Sequence, residues 1–368
     1  MKIAHATTVH RRDDSRIFRK ECRTLTETFD ISLIVADGLG DARKDGVRII
    51  DVGKDAGRGQ RFLKASTRVA RAVLREGIDV VHFHDPELIP LGLLLRMLGR
   101  KVVYDVHEDL PRDIMIKEYI PTALRTTISR VVAGLEWLGG RVFSGIVAAT
   151  PTIAERFPKA KTTVILNYPL LEEFAEQRDS TPYAERGNAF AYVGTLSEAR
   201  GVIETVAATA LTRNAQLLLA GAFNTEALRE QAEQTPGWER VDYRGFVSRA
   251  EVERLLAASR AGMVTLLPTR THLDSYPIKM FEYMAAGLPV IVSDFPLWRR
   301  ILDGIDCALW VDPGKPEDIA RAMQWVLDNP GKAEAMGRAG REAVLTTLNW
   351  TSQGGRLVAF YRERLGVR

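Results

Sequence analysis

The stretch Asp274-Ser275-Tyr276-Pro277-Ile278-Lys279-Met280-Phe281-Glu282-Tyr283-Met284-Ala285-Ala286-Gly287-Leu288-Pro289-Val290-Ile291-Val292-Ser293 reads as a helix followed by a buried strand. Asp274 or Ser275 is a candidate cap, Pro277 suits the first helical turn, and Gly287 stops the helix. A helix N-terminus offers unpaired N–H groups and a positive dipole end, which together attract an anion. Lys279 sits in that first turn and adds charge. Glu282, three residues on, shares its face. A carboxylate there is placed to accept hydrogen bonds from two vicinal hydroxyls, such as those of a ribose. Asp274 would lie on the other side of a bound diphosphate. Tyr276, Pro277 and Ile278 complete the ligand-contact candidates of this stretch.

A second loop of the same kind precedes it, Tyr192-Val193-Gly194-Thr195-Leu196-Ser197-Glu198-Ala199-Arg200-Gly201-Val202. A strand ends at Gly194 and a helix begins near Gly201. Gly194 lets a ligand approach the backbone closely, and Arg200 can clamp a phosphate bidentately.

These loops sit in a chain that alternates strands with helices, the pattern of a parallel sheet covered on both faces. Strand runs fall at residues 31–35, 80–83, 101–104, 145–149 and 163–166, with helical periods at 15–29, 61–76, 88–98 and 122–138. Residues 168–188, rich in Glu, Pro, Arg and Ser, read as a linker. The pattern restarts at Ala189-Phe190-Ala191-Tyr192-Val193 and continues through 215–220, 241–243, 261–266 and 289–293. Residues 351–365 read as a closing helix. The expected organisation is two Rossmann-like domains, 1–168 and 169–351, with helix 352–368 returning to the first.

The chain has 368 residues, 46% hydrophobic and 27% charged, the composition of a globular protein with two cores. Cys22 and Cys307 lie too far apart in sequence to suggest a disulfide framework. The net charge of +4 is uneven: residues 1–170 hold 28 Lys/Arg against 21 Asp/Glu, giving +7, and the remainder 23 against 26, giving −3. The first half therefore suits an anionic partner. Met1-Lys2-Ile3-Ala4-His5-Ala6 reads as a strand rather than a leader, and the apolar runs 88–98 and 131–150 read as buried elements rather than spans. A cytoplasmic protein, at most peripheral on the inner face of the membrane, is the expectation. The first half has no G-x-G-x-x-G, and the chain has no G-x-x-x-x-G-K-[ST], H-E-x-x-H or C-x-x-C, so dehydrogenase, P-loop kinase and catalytic-metal readings lack support.

Gly194-Thr195-Leu196-Ser197-Glu198-Ala199-Arg200-Gly201, followed by Pro277 through Ile291, resembles the donor half of retaining glycosyltransferases of family 4, which have the GT-B fold. His82-Phe83-His84-Asp85-Pro86-Glu87-Leu88, Tyr104-Asp105-Val106-His107-Glu108 and Arg16-Ile17-Phe18-Arg19-Lys20-Glu21 resemble the acceptor half of bacterial members that build surface polysaccharides. The resemblance covers nearly the whole chain. It implies an α/β protein of two Rossmann-like domains with parallel sheets facing across a cleft. The N-terminal domain would bind the acceptor and the C-terminal domain a UDP- or GDP-sugar.

The family's E-x7-E pair falls on Asp274 and Glu282, so the motif here is D-x7-E. Glu282 matches the ribose-binding glutamate. A phosphate-binding cation of the family is replaced by Thr195, while Arg200 fills the other position and Lys279 is a candidate for the missing charge. Gly245-Phe246-Val247 resembles the loop whose backbone reads the base. His107 matches the histidine beside the donor sugar. The implied catalytic set is His107, Arg200, Lys279, Asp274 and Glu282. The resemblance further implies hexosyl transfer with retention, no cofactor and no metal. Same-face attack, with the departing phosphate taking the acceptor's proton, fits better than a covalent glycosyl-enzyme.

In the basic half, the loop His10-Arg11-Arg12-Asp13-Asp14-Ser15-Arg16 could bring Arg11, Arg12 or Arg16 to an acceptor phosphate, as of a polyprenyl-diphosphate-linked sugar. Asp13 or Asp14 could orient the acceptor hydroxyl. His84 and Glu108 join the acceptor candidates. His82, His84 and Asp85 suggest a metal cluster, but Asp85 points away from the face shared by the two histidines, which favours structure or acceptor contact. Arg61, Lys64, Arg68, Arg71 and Arg75 step by 3, 4, 3 and 4 along one helical face, with Phe62, Ala65, Val69 and Val73 on another. That face suits an anionic bilayer surface. Nucleic acid fits poorly, because the basic residues do not interleave with exposed aromatics. Two other functions are compatible with the fold: a sugar-nucleotide epimerase, which would need no acceptor, and a non-catalytic binding module, which would transfer nothing.

Overall fold

The structure is a computed structural model describing residues 1–54, 64–116, 120–174 and 181–367. The chain forms two compact units, Met1–Asn167 with Trp350–Arg368, and Tyr168–Asn349.

The first unit is built on an eight-stranded sheet. Its strands are β1 (Lys2–Ala6), β2 (Asp30–Val35), β3 (Ala42–Lys44), β4 (Val47–Asp51), β5 (Val80–Phe83), β6 (Lys101–Val106), β7 (Gly145–Ala148) and β8 (Thr162–Val164), in the order β3-β4-β2-β1-β5-β6-β7-β8. All neighbours are parallel except β3, which runs antiparallel to β4 at the edge. The helices α1 (Ser66–Arg75), α2 (Ile89–Met97) and α3 (Thr122–Val142) belong to this unit. Phe83 stacks on Tyr104 and meets Phe143 edge-on, and all three are buried. Burying such a side chain contributes about 2 kcal/mol each.

The second unit carries the six-stranded sheet β11-β10-β9-β12-β13-β14, in which every pairing is parallel. Its strands are β9 (Ala189–Val193), β10 (Gln216–Ala220), β11 (Val241–Gly245), β12 (Ala261–Val264), β13 (Val290–Ser293) and β14 (Ala308–Val311). Helices α4 (Val202–Leu211), α5 (Arg249–Ala258) and α6 (Ile278–Ala285) follow β9, β11 and β12. The chain then returns to the first unit through α7 (Trp350–Ala359). There Trp350 Nε1 donates to Thr24 Oγ1 at 2.8 Å, Gln353 Oε1 accepts from Leu166 N at 3.0 Å, and Tyr361 is fully buried.

The pattern reading marks neither β3, β4 nor β14. β3 is exposed along its length and shows no inward face, β4 is a short run interrupted by Arg48, and β14 is only four residues long. Pairing with neighbours, rather than alternation, makes them strands.

Candidate active site

In parallel α/β sheets, ligands gather where loops leave the carboxyl ends of the strands. In the second unit three such loops carry the donor candidates. Gly194 follows β9, Phe246 follows β11, and the segment after β12 leads into α6. Backbone bonds tie these strand ends together: Gly194 N donates to Ala220 O at 2.9 Å and Gly221 N to Gly245 O at 2.7 Å. Tyr283 Oη, one turn into α6, accepts from Val193 N at 2.8 Å, which locks α6 against the end of β9.

Glu282 is 8% exposed. Its Oε2 accepts from Lys279 Nζ at 2.6 Å, and its Oε1 lies 3.5 Å from Arg249 Nη1. A nearly buried carboxylate between two cations is held rigidly, with hydrogen-bonding capacity left over on its lone pairs. Arg200 arches over the Gly194 turn, with Nη1 3.6 Å from where a Gly194 Cβ would stand. Its carbonyl accepts from Tyr192 Oη at 2.7 Å. Gly201 adopts φ +67°, and a Cβ there would lie 2.1 Å from Thr265 O, so only glycine lets α4 start at this point. Thr195 and Phe246 are exposed, Phe246 to 91%. Asp274, Tyr276, Pro277 and Ile278 are partly buried.

The start of α6 differs from the expectation. Neither Asp274 nor Ser275 caps it. Asp274 closes the short helix Arg270–Leu273, and Ser275 Oγ donates to His272 O at 2.8 Å. Pro277 is extended at φ −73°, ψ 111°, one position before the helix, and no side chain caps α6. The residue before a proline, here Tyr276, is kept out of the helical region, and the helix begins at Ile278. The outcome leaves the first-turn amides of α6 without a side-chain acceptor, which suits an anion.

In the first unit, His107 follows β6 and is partly exposed. Its Nε2 lies 3.1 Å from Asp105 Oδ2. Asp105 is fully buried and receives Arg16 through Nη2 at 3.0 Å and Nε at 3.3 Å. Burial pushes the Asp105 carboxyl up, but Arg16 and His107 overcome it and hold the group well below the usual carboxylate range. Glu21 lies beside the same guanidinium at 3.0 Å, and burial with the neighbouring Asp105 charge pushes it up. Burial likewise lowers His5, His82 and His84, which keeps these imidazoles neutral. Glu21, His82, His84 and Asp105 each offer one ligand atom within 4.8 Å of the others, all buried. These are the described residues that could gather round a metal ion, with Arg16 bound to both carboxylates.

The acceptor candidates fare unevenly. Arg16 is buried and spent on Asp105, Glu21 and Ile165 O, so it cannot reach an acceptor phosphate. His84 is buried and bonded to His5 at 2.9 Å, so it does not face an acceptor. Asp14 accepts from Arg16 N and Ile17 N, both at 2.9 Å, and is a turn-forming residue at a helix start. Arg12 forms a bidentate pair with Asp37, at 2.6 and 2.7 Å, and Arg11 pairs with Asp13. Arg11, Asp13 and Glu108 remain exposed. Asp85 does turn away from the two histidines, accepting from Thr7 Oγ1 and Thr8 N.

On α1 and the two residues before it, Lys64, Arg71 and Arg75 are exposed, Arg68 Nη2 donates to Gly53 O at 3.1 Å, and Ala65, Val69 and Val73 are buried. Arg61 and Phe62 lie outside the described residues. Among the described residues, no helix is long and apolar enough to cross a membrane.

Residues 173–343 match the family described as glycosyl transferases group 1, and residues 16–167 match a glycosyl transferase 4-like domain. A phosphatidyl-myo-inositol mannosyltransferase of Mycobacterium leprae is 24% identical over 80% of this chain and 76% of its own. A GDP-mannose:cellobiosyl-diphosphopolyprenol alpha-mannosyltransferase of Xanthomonas oryzae pv. oryzae is 24% identical over 78% of this chain and 75% of its own. The solved sucrose-phosphate synthase of Thermosynechococcus elongatus superposes with a TM-score of 0.79 at 17% identity, covering 99% of each chain. Two Rossmann-like units with these strand-end loops are a GT-B glycosyltransferase fold. The chain belongs to the group 1, family 4 glycosyltransferases.

Pattern reading missed Arg249, because its pairing with Glu282 crosses 33 residues. It also missed His5, His10, Glu21 and Asp105 as site neighbours. A signal for three of these was present: a His or Asp inside an otherwise apolar parallel strand, or a Glu on a helix's buried face, needs a partner.

Proposed function

We propose that this protein transfers a hexosyl unit from a nucleotide-diphosphate sugar to a glycan or lipid-linked acceptor, with retention and without a metal. The observation that carries this reading is Glu282, a covered carboxylate held between Lys279 and Arg249 beside the uncapped start of α6. That arrangement suits a ribose at Glu282 and a diphosphate at the helix start. The bond from anomeric carbon to diphosphate breaks, the acceptor oxygen bonds to the same face, and the leaving phosphate takes the acceptor's proton. Arg200, Lys279 and the α6 amides stabilise the charge growing on the diphosphate.

Two relatives named above are mannosyltransferases whose names specify lipid acceptors, phosphatidyl-inositol in one and a diphosphopolyprenol in the other. Together with the exposed Lys64, Arg71 and Arg75, this favours an anionic lipid-linked acceptor and peripheral attachment to the cytoplasmic face of the membrane. The test is turnover of UDP- and GDP-sugars with lipid-linked acceptors, the product's anomeric linkage being read by NMR. An inverted linkage rejects retention. Wild-type turnover by Glu282→Ala or Arg200→Ala rejects the site.

A further inference from the structure

Behind His107 lies a line of hydrogen-bonding groups that runs through the interior of the first unit. Asp105 Oδ2 is 3.1 Å from His107 Nε2 and 3.3 Å from His84 Nδ1. His84 Nε2 is 2.9 Å from His5 Nδ1. His5 Nε2 is 3.3 Å from Tyr361 Oη, and Tyr361 Oη is 2.6 Å from His82 Nδ1. His5, His82, Asp105 and Tyr361 are fully buried, and His84 nearly so.

A neutral imidazole has one N–H and one lone pair, and an ionised carboxylate only accepts. With Asp105 as the fixed acceptor, these two facts orient the protons of the line. Asp105 is held by Arg16 as an acceptor, so His107 Nε2 and His84 Nδ1 must both carry hydrogen. His84 Nε2 is then a lone pair, so His5 donates through Nδ1. His5 Nε2 is then a lone pair and takes the Tyr361 hydroxyl proton. The Tyr361 oxygen in turn accepts from His82 Nδ1–H. His84 Nδ1 is also 3.3 Å from His107 Nε2, and His82 Nε2 has no hydrogen-bond partner. A line running the other way would satisfy that contact but would turn a lone pair of His84 toward Asp105 at 3.3 Å, and in either direction His107 carries hydrogen on Nε2. A lone pair turned toward the Asp105 carboxylate is repelled and leaves a buried acceptor unpaired, so that reversed line is disfavoured.

We propose that Asp105 is the positioning residue for His107: it fixes the Nε2–H tautomer, leaving Nδ1 as an acceptor for a hydroxyl of the reacting sugars, and the buried line through His84, His5 and Tyr361 holds Asp105 in place. This rests on the reading of His107 as a group beside the transferred sugar. The line passes through Tyr361, just beyond α7, so the last segment of the chain takes part in setting the state of a residue 254 positions earlier.

The experiment combines nitrogen-15 NMR of histidine-labelled full-length protein with transfer kinetics. The expected tautomers are Nε2–H for His107 and Nδ1–H for His84, His5 and His82. In Asp105→Asn, an amide N–H can donate to His107 Nε2, and His107 should flip to Nδ1–H. Its kcat should then fall about 100-fold or more while the donor KM changes little. Tyr361→Phe removes only a hydroxyl at the far end and serves as the variant certain to preserve charge. It should mix the tautomers of His5 and His84 and lower kcat less. Three results overturn the proposal: an Nδ1–H tautomer of His107 in the wild type, wild-type kcat in Asp105→Asn, or a stoichiometric divalent metal in the purified protein occupying the His84 lone pair. If His107→Gln retains full transfer while the tautomers are as assigned, the placement of His107 beside the sugar fails and the hydrogen-bonded line stands.

Discussion

Gly221 and Gly194 touch backbone to backbone: a Cβ on Gly221 would stand 1.7 Å from the Gly194 carbonyl oxygen, and Gly221 itself has φ +143°. The contact sets the end of β10 against the phosphate-loop candidate after β9. Gly221→Ala combines a forbidden approach with a left-handed backbone. It should destabilise by about 3 kcal/mol or more, read as a lower urea midpoint, with nucleotide binding lost in whatever folds. A variant as stable as the wild type would show that the loop can shift freely.

Replacing Glu282 separates charge from shape. Glu282→Gln keeps the volume but leaves Lys279 and Arg249 without their shared anion. The fold should survive, because both cations reach water. Transfer should drop on the order of 100-fold in kcat/KM, with calorimetry showing weaker nucleotide binding. Unchanged binding would mean that Glu282 does not meet the ribose.

His10 Nδ1 lies 3.5 Å from Asp14 and its Nε2 3.5 Å from Asp85. The Asp14 hydrogen bond, opposed by partial burial, raises His10 above its ordinary 6.5. A raised folded value means that the stabilisation is complete below the unfolded value and is lost as pH rises through the folded one. Asp14, lowered by His10 and by the Ile17 amide against the cost of burial, contributes down to strongly acid pH. His10→Gln should therefore destabilise more at about pH 6 than at about pH 9, where the imidazole is neutral in either state. Equal urea midpoint differences at both values would contradict the ion pair.

The exposed cations of α1 give a surface prediction. Reversing Lys64, Arg71 and Arg75 to Glu should weaken binding to vesicles of anionic phospholipid by tenfold or more, at roughly 1 kcal/mol per cation. High salt or neutral vesicles should do the same to the wild type. Indifference to all three would make this face an ordinary solvated surface.

The donor stretch was legible as sequence because its geometry is local. Residues 279 and 282 share a helix face by the helical period alone, and Gly194 and Arg200 lie in one short loop between β9 and α4. The alternation of strands and helices likewise implied two parallel-sheet units, and the chain forms two compact units that divide between Asn167 and Tyr168. Local rules also misled. They put Pro277 inside a helix it only precedes, and they offered Arg16 and His84 to an acceptor although both are buried.

What tertiary structure alone decided is which distant groups neutralise one another. Arg249 reaches Glu282 only because β11 and β12 end on the same side of one sheet. Arg16 meets Asp105, and His5 meets His84, only because β1, β5 and β6 are neighbours. Charge and proton placement in a buried cluster depend on distances between segments far apart in the chain, and no spacing rule carries that information. The sequence by itself determined the family, the fold and the loops that the proposed function assigns to the donor. Tertiary contact decided which charges stay free to meet a ligand and which are consumed in holding the protein together, because a charge removed from water must find its partner wherever the fold brings one.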